Sequence, residues 1–237
     1  MTKKYLLLIF LSFSLFGCSS IELEAVSTSE EETQRILALG LSHEENLLEA
    51  NKLKNNHMIS VVRLQLINAR DAKIQYELDL DEAKELADFV NVSLDGRIFI
   101  GSKVSESLKT GVLFSDVDIQ NYQLEGEKNI TNTLAHKLKV TISYNSTNIR
   151  NYSSAALCDQ WNRCDNSILE LNAISKNASN CSSGSCNYEE TMDLKLSDEF
   201  LRNSINNGFT IEFFSKRKSN KITVSKAYLM GYLMVAK

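Results

Sequence analysis

The chain has 237 residues, 43% hydrophobic and 24% charged, values close to globular averages that exclude a chain disordered throughout and a polytopic membrane protein. Proline is absent, where average usage would give roughly a dozen, so Pro-rich stalks and cis-proline turns are excluded. The formal net charge of −4 leaves no basic excess to release phosphate counterions, and nucleic acid is not an expected partner.

Residues 1 to 18, MTKKYLLLIFLSFSLFGC, set two lysines before an apolar stretch from Tyr5 to Phe16, then a small residue before a cysteine. That is the pattern of a secretory signal, with a hydrophobic run too short to span about 30 Å of hydrocarbon as a helix. Its end, Leu15-Phe16-Gly17-Cys18, resembles the lipobox of bacterial lipoproteins. The resemblance covers these residues alone. It implies that signal residues 1–17 are removed and that Cys18 becomes the lipidated first residue, with a diacylglycerol thioether and an amide-linked acyl chain. It further implies a membrane partner through that anchor and, because Ser19 follows where aspartate would favour the inner membrane, an outer-membrane address facing the periplasm or the cell surface. Cleavage drops Lys3 and Lys4, taking the net charge to −6, so attraction to anionic lipid is not needed for anchoring. The alternative is an ordinary cleaved signal in which Cys18 is incidental.

Residues 18–29 read as a tether and residues 30–56 as a helical arm. Ser29-x-x-Glu32 and Ser42-x-x-Glu45 match the capping box, and Gly40 between them predicts helices near 30–39 and 43–56, or one kinked helix. The apolar set Ile36, Leu37, Leu41, Leu47, Ala50 and Leu53 is one stripe wide, so the arm packs on its own domain or on a partner. From His57 the period becomes two: Val62, Leu64 and Leu66, then Ile74, Tyr76, Leu78 and Leu80, predict a hairpin turning at Asn68 to Asp71. Asp81 to Val90 reads as a short helix. Strands are predicted around Ile98, Val112 to Phe114, Val117 to Ile119, Leu138 to Tyr144, Leu169 to Ile174, Met192 to Leu196, Phe209 to Phe214 and Ile222 to Val235, with a short helix after Ser197 that Asn207-Gly208 ends. Within the last of these, Ala227 to Ala236 is apolar on both faces and is placed as a central strand. Strict alternation marks antiparallel sheet. Residues 57–237 are therefore read as one domain in an α+β protein, predominantly antiparallel β and sandwich-like.

Four cysteines remain beyond Cys18, and an even number in an exported chain reads first as two disulfides. Zinc is the rival, but C-x5-C and C-x4-C fit its spacing poorly and no histidine is at hand. Local closure, Cys158 with Cys164 and Cys181 with Cys186, is favoured because Ser182-Ser-Gly-Ser185 can turn tightly. The first ring encloses Trp161, the only tryptophan, beside Asn162 and Arg163, the composition of a recognition surface for a protein or a sugar ring. Its alternative is that Trp161 folds back to cap the sheet edge.

No catalytic constellation emerges. His43, His57 and His136 form no HExxH and are expected at the surface. Gly96-x-x-x-x-Gly101-Ser-Lys103 reverses the last two residues of a P-loop, and Lys109-Thr-Gly111 lacks the companion motifs of the penicillin-binding enzymes. Asp116 and Asp118 have no calcium loop around them. The expected function is a lipid-anchored, non-enzymatic interaction or envelope-assembly component with an envelope protein partner and no cofactor or metal. A carbohydrate-binding surface module using the Trp161 loop and an envelope hydrolase with an unrecognised site are the alternatives.

Overall fold

A computed structural model describes residues 27–110, 116–159, 161–164, 169–216 and 218–237, the side chains of residues 110 and 116 excepted. The signal segment 1–17, Cys18, the tether as far as residue 26 and the strand expected at Val112 to Phe114 lie outside the described residues. The chain forms two compact units that divide at Asp71/Ala72.

The first unit holds α1 (Ser29–Leu37), α2 (His43–Ala50) and the opening turns of α3 (Asn56–Asp88). The α1 capping box uses Thr28 and Glu31, one residue before the predicted pair, and Ser42 with Glu45 caps α2 as predicted. Gly40, at φ +67°, makes the left-handed turn between them that glycine adopts at low cost. Ile36, Ala50, Val62 and Leu66 are buried together with Leu47, Leu53 and Met58 against them, so the arm closes on the start of α3. Thr33 Oγ1 donates to Gln65 Oε1 at 2.5 Å, and Gln65 Nε2 donates to Glu30 Oε1 at 3.1 Å.

The hairpin expected between Val62 and Leu80 is corrected: these residues belong to the 33-residue helix α3. Val62 and Leu66 are spaced i, i+4 and buried, whereas the intervening Leu64 is 58% exposed. Apolar residues at every second position also fall at i, i+4, so a short alternation does not separate the two periods. Residues 56–88 contain no glycine or proline, which lets the helix run on without a break.

The second unit carries the last turns of α3, then β1 (Asn91–Val92), β2 (Ile98–Ile100), β3 (Val104–Thr110), β4 (Asp116–Lys128), β5 (Leu134–Ser146), β6 (Ser154–Cys158), β7 (Leu169–Ser182), β8 (Ser185–Ser197), α4 (Asp198–Asn203), β9 (Phe209–Phe214), β10 (Ser219–Val224) and α5 (Lys226–Val235). The sheet runs β1-β2-β4-β5-β8-β7-β6-β9-β10, with β3 also on β4, and every described pairing is antiparallel. The chain is thus α+β and predominantly antiparallel β. Leu138, Val140, Ile142 and Tyr144 alternate inward along β5, and Met192, Leu194 and Leu196 do so along β8. Although β4 and β10 are distant in sheet order, Gln120 Nε2 donates to the Lys221 carbonyl at 3.2 Å and Tyr122 Oη to the Thr223 carbonyl at 3.0 Å. The sheet therefore wraps over its own core in a sandwich-like arrangement.

The strand expected at Ala227 to Ala236 is corrected to the buried helix α5, capped by the Ser225 hydroxyl on the Tyr228 amide. An apolar run covered on all sides lacks a period. Its Ala, Leu and Met residues are good helix formers, and Ser225 supplies the start signal. One side of α5 meets α3: a Cβ on Gly231 would lie 2.5 Å from the Ala83 carbonyl oxygen, so the close crossing requires glycine. A further contact is to β4, where Tyr228 Oη accepts from the Leu124 amide at 3.0 Å.

Candidate functional site

The predicted loop is built on β6, whose residues Ser154 to Cys158 pair with Phe214 to Thr210 of β9. The chain leaves the sheet at Cys158 and returns at Cys164, and the two cysteines form a disulfide. Inside the ring, Asp159 Oδ1 accepts from the amides of Trp161 and Arg163, both at 2.9 Å. Arg163 Nε donates to Asp159 Oδ2 at 2.8 Å, and the Asp159 amide donates to the Arg163 carbonyl at 2.8 Å. Asn162 sits at φ +63°, a left-handed conformation that asparagine tolerates, and its carbonyl accepts from Lys221 Nζ of β10 at 2.8 Å. The Arg163 amide above all, then the Arg163 side chain and the Trp161 amide, hold the Asp159 carboxyl below the usual carboxylate range. The carboxylate thus stays charged and keeps the loop closed.

Trp161 is 71% exposed, so the expectation that it caps the sheet edge is not realised and the indole is displayed to solvent. Its loop neighbours Asp159 and Asn162, though not Trp161 itself, line a groove of about 610 Å³ together with Cys158, Asn207, Gly208, Phe209, Thr210 and Thr223. The sequence showed Trp161, Asn162 and Arg163 but not the far wall. Asn207 and Thr210 arrive with the turn into β9 and Thr223 from β10, where pairing sets Thr223 opposite Thr210 and Thr210 opposite Cys158. Gly208, at φ +67°, forms the turn that places Asn207 there, and a Cβ on it would lie 2.3 Å from the Val224 carbonyl oxygen.

Cys181 and Cys186 also close locally, at the tip of the β7–β8 hairpin, where Ser183 and Gly184 turn with positive φ. That ring contributes no groove residue. The sulfurs of Cys158 and Cys164 and a Glu212 carboxylate oxygen lie within 4.8 Å of one another, but both sulfurs are joined in the disulfide and offer no thiolate.

Two further polar clusters are internal. His136, expected at the surface, is 3% exposed, a correction with a clear cause: its place in the β5 alternation turns it inward beneath α5. Its Nδ1 lies 2.9 Å from Tyr232 Oη and its Nε2 3.1 Å from Asp198 Oδ1. A carboxylate accepts only, which assigns the Nε2 proton to His136 and makes the Tyr232 hydroxyl the donor to Nδ1. Burial pushes the His136 pKa down against the pull of Asp198, keeping the imidazole neutral. Gly126 makes this possible, since a Cβ there would run into the Tyr232 hydroxyl and approach His136 Nδ1 to 3.1 Å. The second cluster surrounds Asp118, which meets Arg150 bidentately at 2.6 and 2.9 Å and accepts from Asn220 Nδ2 at 3.3 Å. Burial raises the Asp118 pKa, but Arg150, Asn220 and Lys218 outweigh it and hold the carboxyl below its ordinary range. Tyr152 donates to Asn220 Oδ1, and burial pushes its phenol up to about 12. Asp118 is therefore committed to Arg150, and the Asp116 side chain lies outside the described residues.

No family model, no curated protein and no solved structure matches this chain.

Proposed function

We propose that this chain is a lipid-anchored outer-membrane lipoprotein that acts without chemistry of its own, as an interaction or assembly component of the cell envelope. The anchor is Cys18 and the contact surface is the loop Cys158 to Cys164. The lipobox-like segment at Leu15 to Cys18 supports the address, and two disulfides suit an oxidising compartment outside the cytoplasm.

One observation carries the assignment of the contact surface: the only tryptophan stands 71% exposed on a loop closed by a disulfide, by four hydrogen bonds that link Asp159 to Trp161 and Arg163, and by the Asp159–Arg163 ion pair. A large aromatic surface exposed to water costs free energy unless a partner covers it, and a rigid loop loses little entropy when it binds. The test is in-cell cross-linking from a photoreactive residue at position 162, comparing the wild-type loop with Trp161→Ala. An adduct to one envelope component that disappears in the variant supports the assignment. The same adduct at the same yield in both overturns it.

A further inference from the structure

The wall of the groove beside Trp161 is polar yet without net charge. Arg163 Nη2 is neutralised by Asp159 at 2.7 Å, and Lys221 lies 3.7 Å from Glu212 while donating to the Asn162 carbonyl. Among the described residues, an anionic ligand therefore meets no uncompensated cation at this wall. An apolar peptide fares no better, because Phe209 is the single aromatic or aliphatic side chain among the described lining residues and it is 8% exposed. What the groove offers is amides and hydroxyls. The side-chain amides of Asn162 and Asn207 have no hydrogen-bond partner among the described residues. Thr210 Oγ1 and Thr223 Oγ1 share one hydrogen bond at 2.9 Å, and each oxygen retains acceptor capacity.

Each free amide presents donors and an acceptor, the complement of a hydroxyl that both gives and takes a hydrogen bond. An indole presents a flat apolar face. A sugar ring carries both counterparts, with equatorial hydroxyls around its rim and axial C–H bonds on its face. The volume of about 610 Å³ falls in the range of about 300–1,000 Å³ typical of small-molecule sites. Resting on the reading of the Trp161 loop as the contact surface, we propose that this groove binds a neutral saccharide, with the indole against a ring face and Asn162, Asn207, Thr210 and Thr223 engaging hydroxyls.

Because Trp161 is the only tryptophan, its emission reports on the site without a label. The anchored chain in detergent is titrated with maltohexaose, cellohexaose and chitohexaose, and with heparin and hyaluronan as acidic controls. The expected result is a saturable change in emission with at least one neutral oligosaccharide and none with the acidic polymers. By calorimetry, Asn207→Ala should weaken that binding about three- to tenfold, the loss of one or two hydrogen bonds, and Trp161→Ala by about thirtyfold or more. No response to the neutral sugars up to 10 mM, a response to the acidic polymers alone, or unchanged affinity in Asn207→Ala overturns the saccharide. Two further outcomes separate it from the reading beneath it. Loss of the in-cell adduct in Trp161→Ala without sugar binding removes the saccharide and keeps the contact surface. Sugar binding that needs Asn207 but ignores Trp161 removes the loop and keeps the groove.

Discussion

Asp118 and Arg150 meet at 2.6 Å with side chains 1% and 7% exposed, whereas Asp159 and Arg163 meet at 2.7 Å with side chains 39% and 76% exposed. The first pair joins residues 32 apart in sequence and draws in Asn220 from β10, 102 residues from Asp118. The second joins residues four apart. In the interior the charges have lost their water, so each depends on the other for solvation, and the geometry of three chain segments is fixed by that dependence. At the surface, water and salt screen the attraction, and its effect is to choose one conformation for a short loop. Identical chemistry thus organises the domain in one place and displays a tryptophan in the other.

The contrast predicts effects of very different size. Arg150→Met strands the Asp118 carboxylate in the core and should cost about 3–5 kcal/mol by denaturant unfolding. Adding Asp118→Asn should recover a large part of that loss, since the unpaired charge is then gone; no recovery would mean that packing and not charge dominates. Replacing Cys158 and Cys164 together by serine should cost at most about 3 kcal/mol, because a short ring restricts few unfolded conformations. The same double variant should impair ligand or partner capture about as much as Trp161→Ala, since the indole loses its fixed presentation.

Acid titration sharpens the comparison further. Asp118 has a folded pKa below its unfolded value of about 3.9. Its stabilisation is therefore complete above that value and lost as pH falls through it toward the folded one. As pH falls below about 4, the wild type should lose stability more steeply than the Arg150→Met, Asp118→Asn double variant. His136 acts at a higher pH with the same sign. Its folded pKa is depressed below about 6.5, so it favours folding above that value and the benefit declines as pH drops from there. Melting temperature should fall from pH 7.5 to pH 5, and less so in His136→Gln. The smallest effect belongs to Asp159→Ala, which should leave the unfolding midpoint in place. It should instead speed hydrogen exchange at the Trp161 and Arg163 amides, the two donors that Asp159 accepts.

The sequence revealed those parts of the molecule whose determinants are local. The alternation at Leu138 to Tyr144 became the inward face of β5, Ser42 and Glu45 became a capping box, and both cysteine pairs closed on near neighbours. Where two periods coincide over a few residues, as at Val62 to Leu66, the pattern suited strand and helix alike, and burial of the arm against α3 decided it. Ala227 to Ala236 had no polar face to mark a period, and the core that covers it comes from β4, β5 and α3. The surface expectation for His136 fails because the alternation of Leu138 to Tyr144 extends back to the start of β5 and turns position 136 inward. Of the candidate site, the Trp161 half is contiguous and was visible; Asn207, Thr210 and Thr223 enter it through β9–β10 register, which no spacing in the chain announces.

The contacts from Gln120 and Tyr122 to the Lys221 and Thr223 carbonyls bear on self-association. A terminal strand such as β10 has pairing groups on the side away from β9, and unmet groups of that kind are a template for adding a strand from another molecule. Here two of those carbonyls already accept from side chains of β4. The protection comes from within the fold, alongside the charge of Lys221 on the strand itself and without a proline there. At any concentration where copies of the chain meet while folding, this arrangement withdraws two carbonyls of an edge strand from intermolecular pairing as soon as the sheet wraps over.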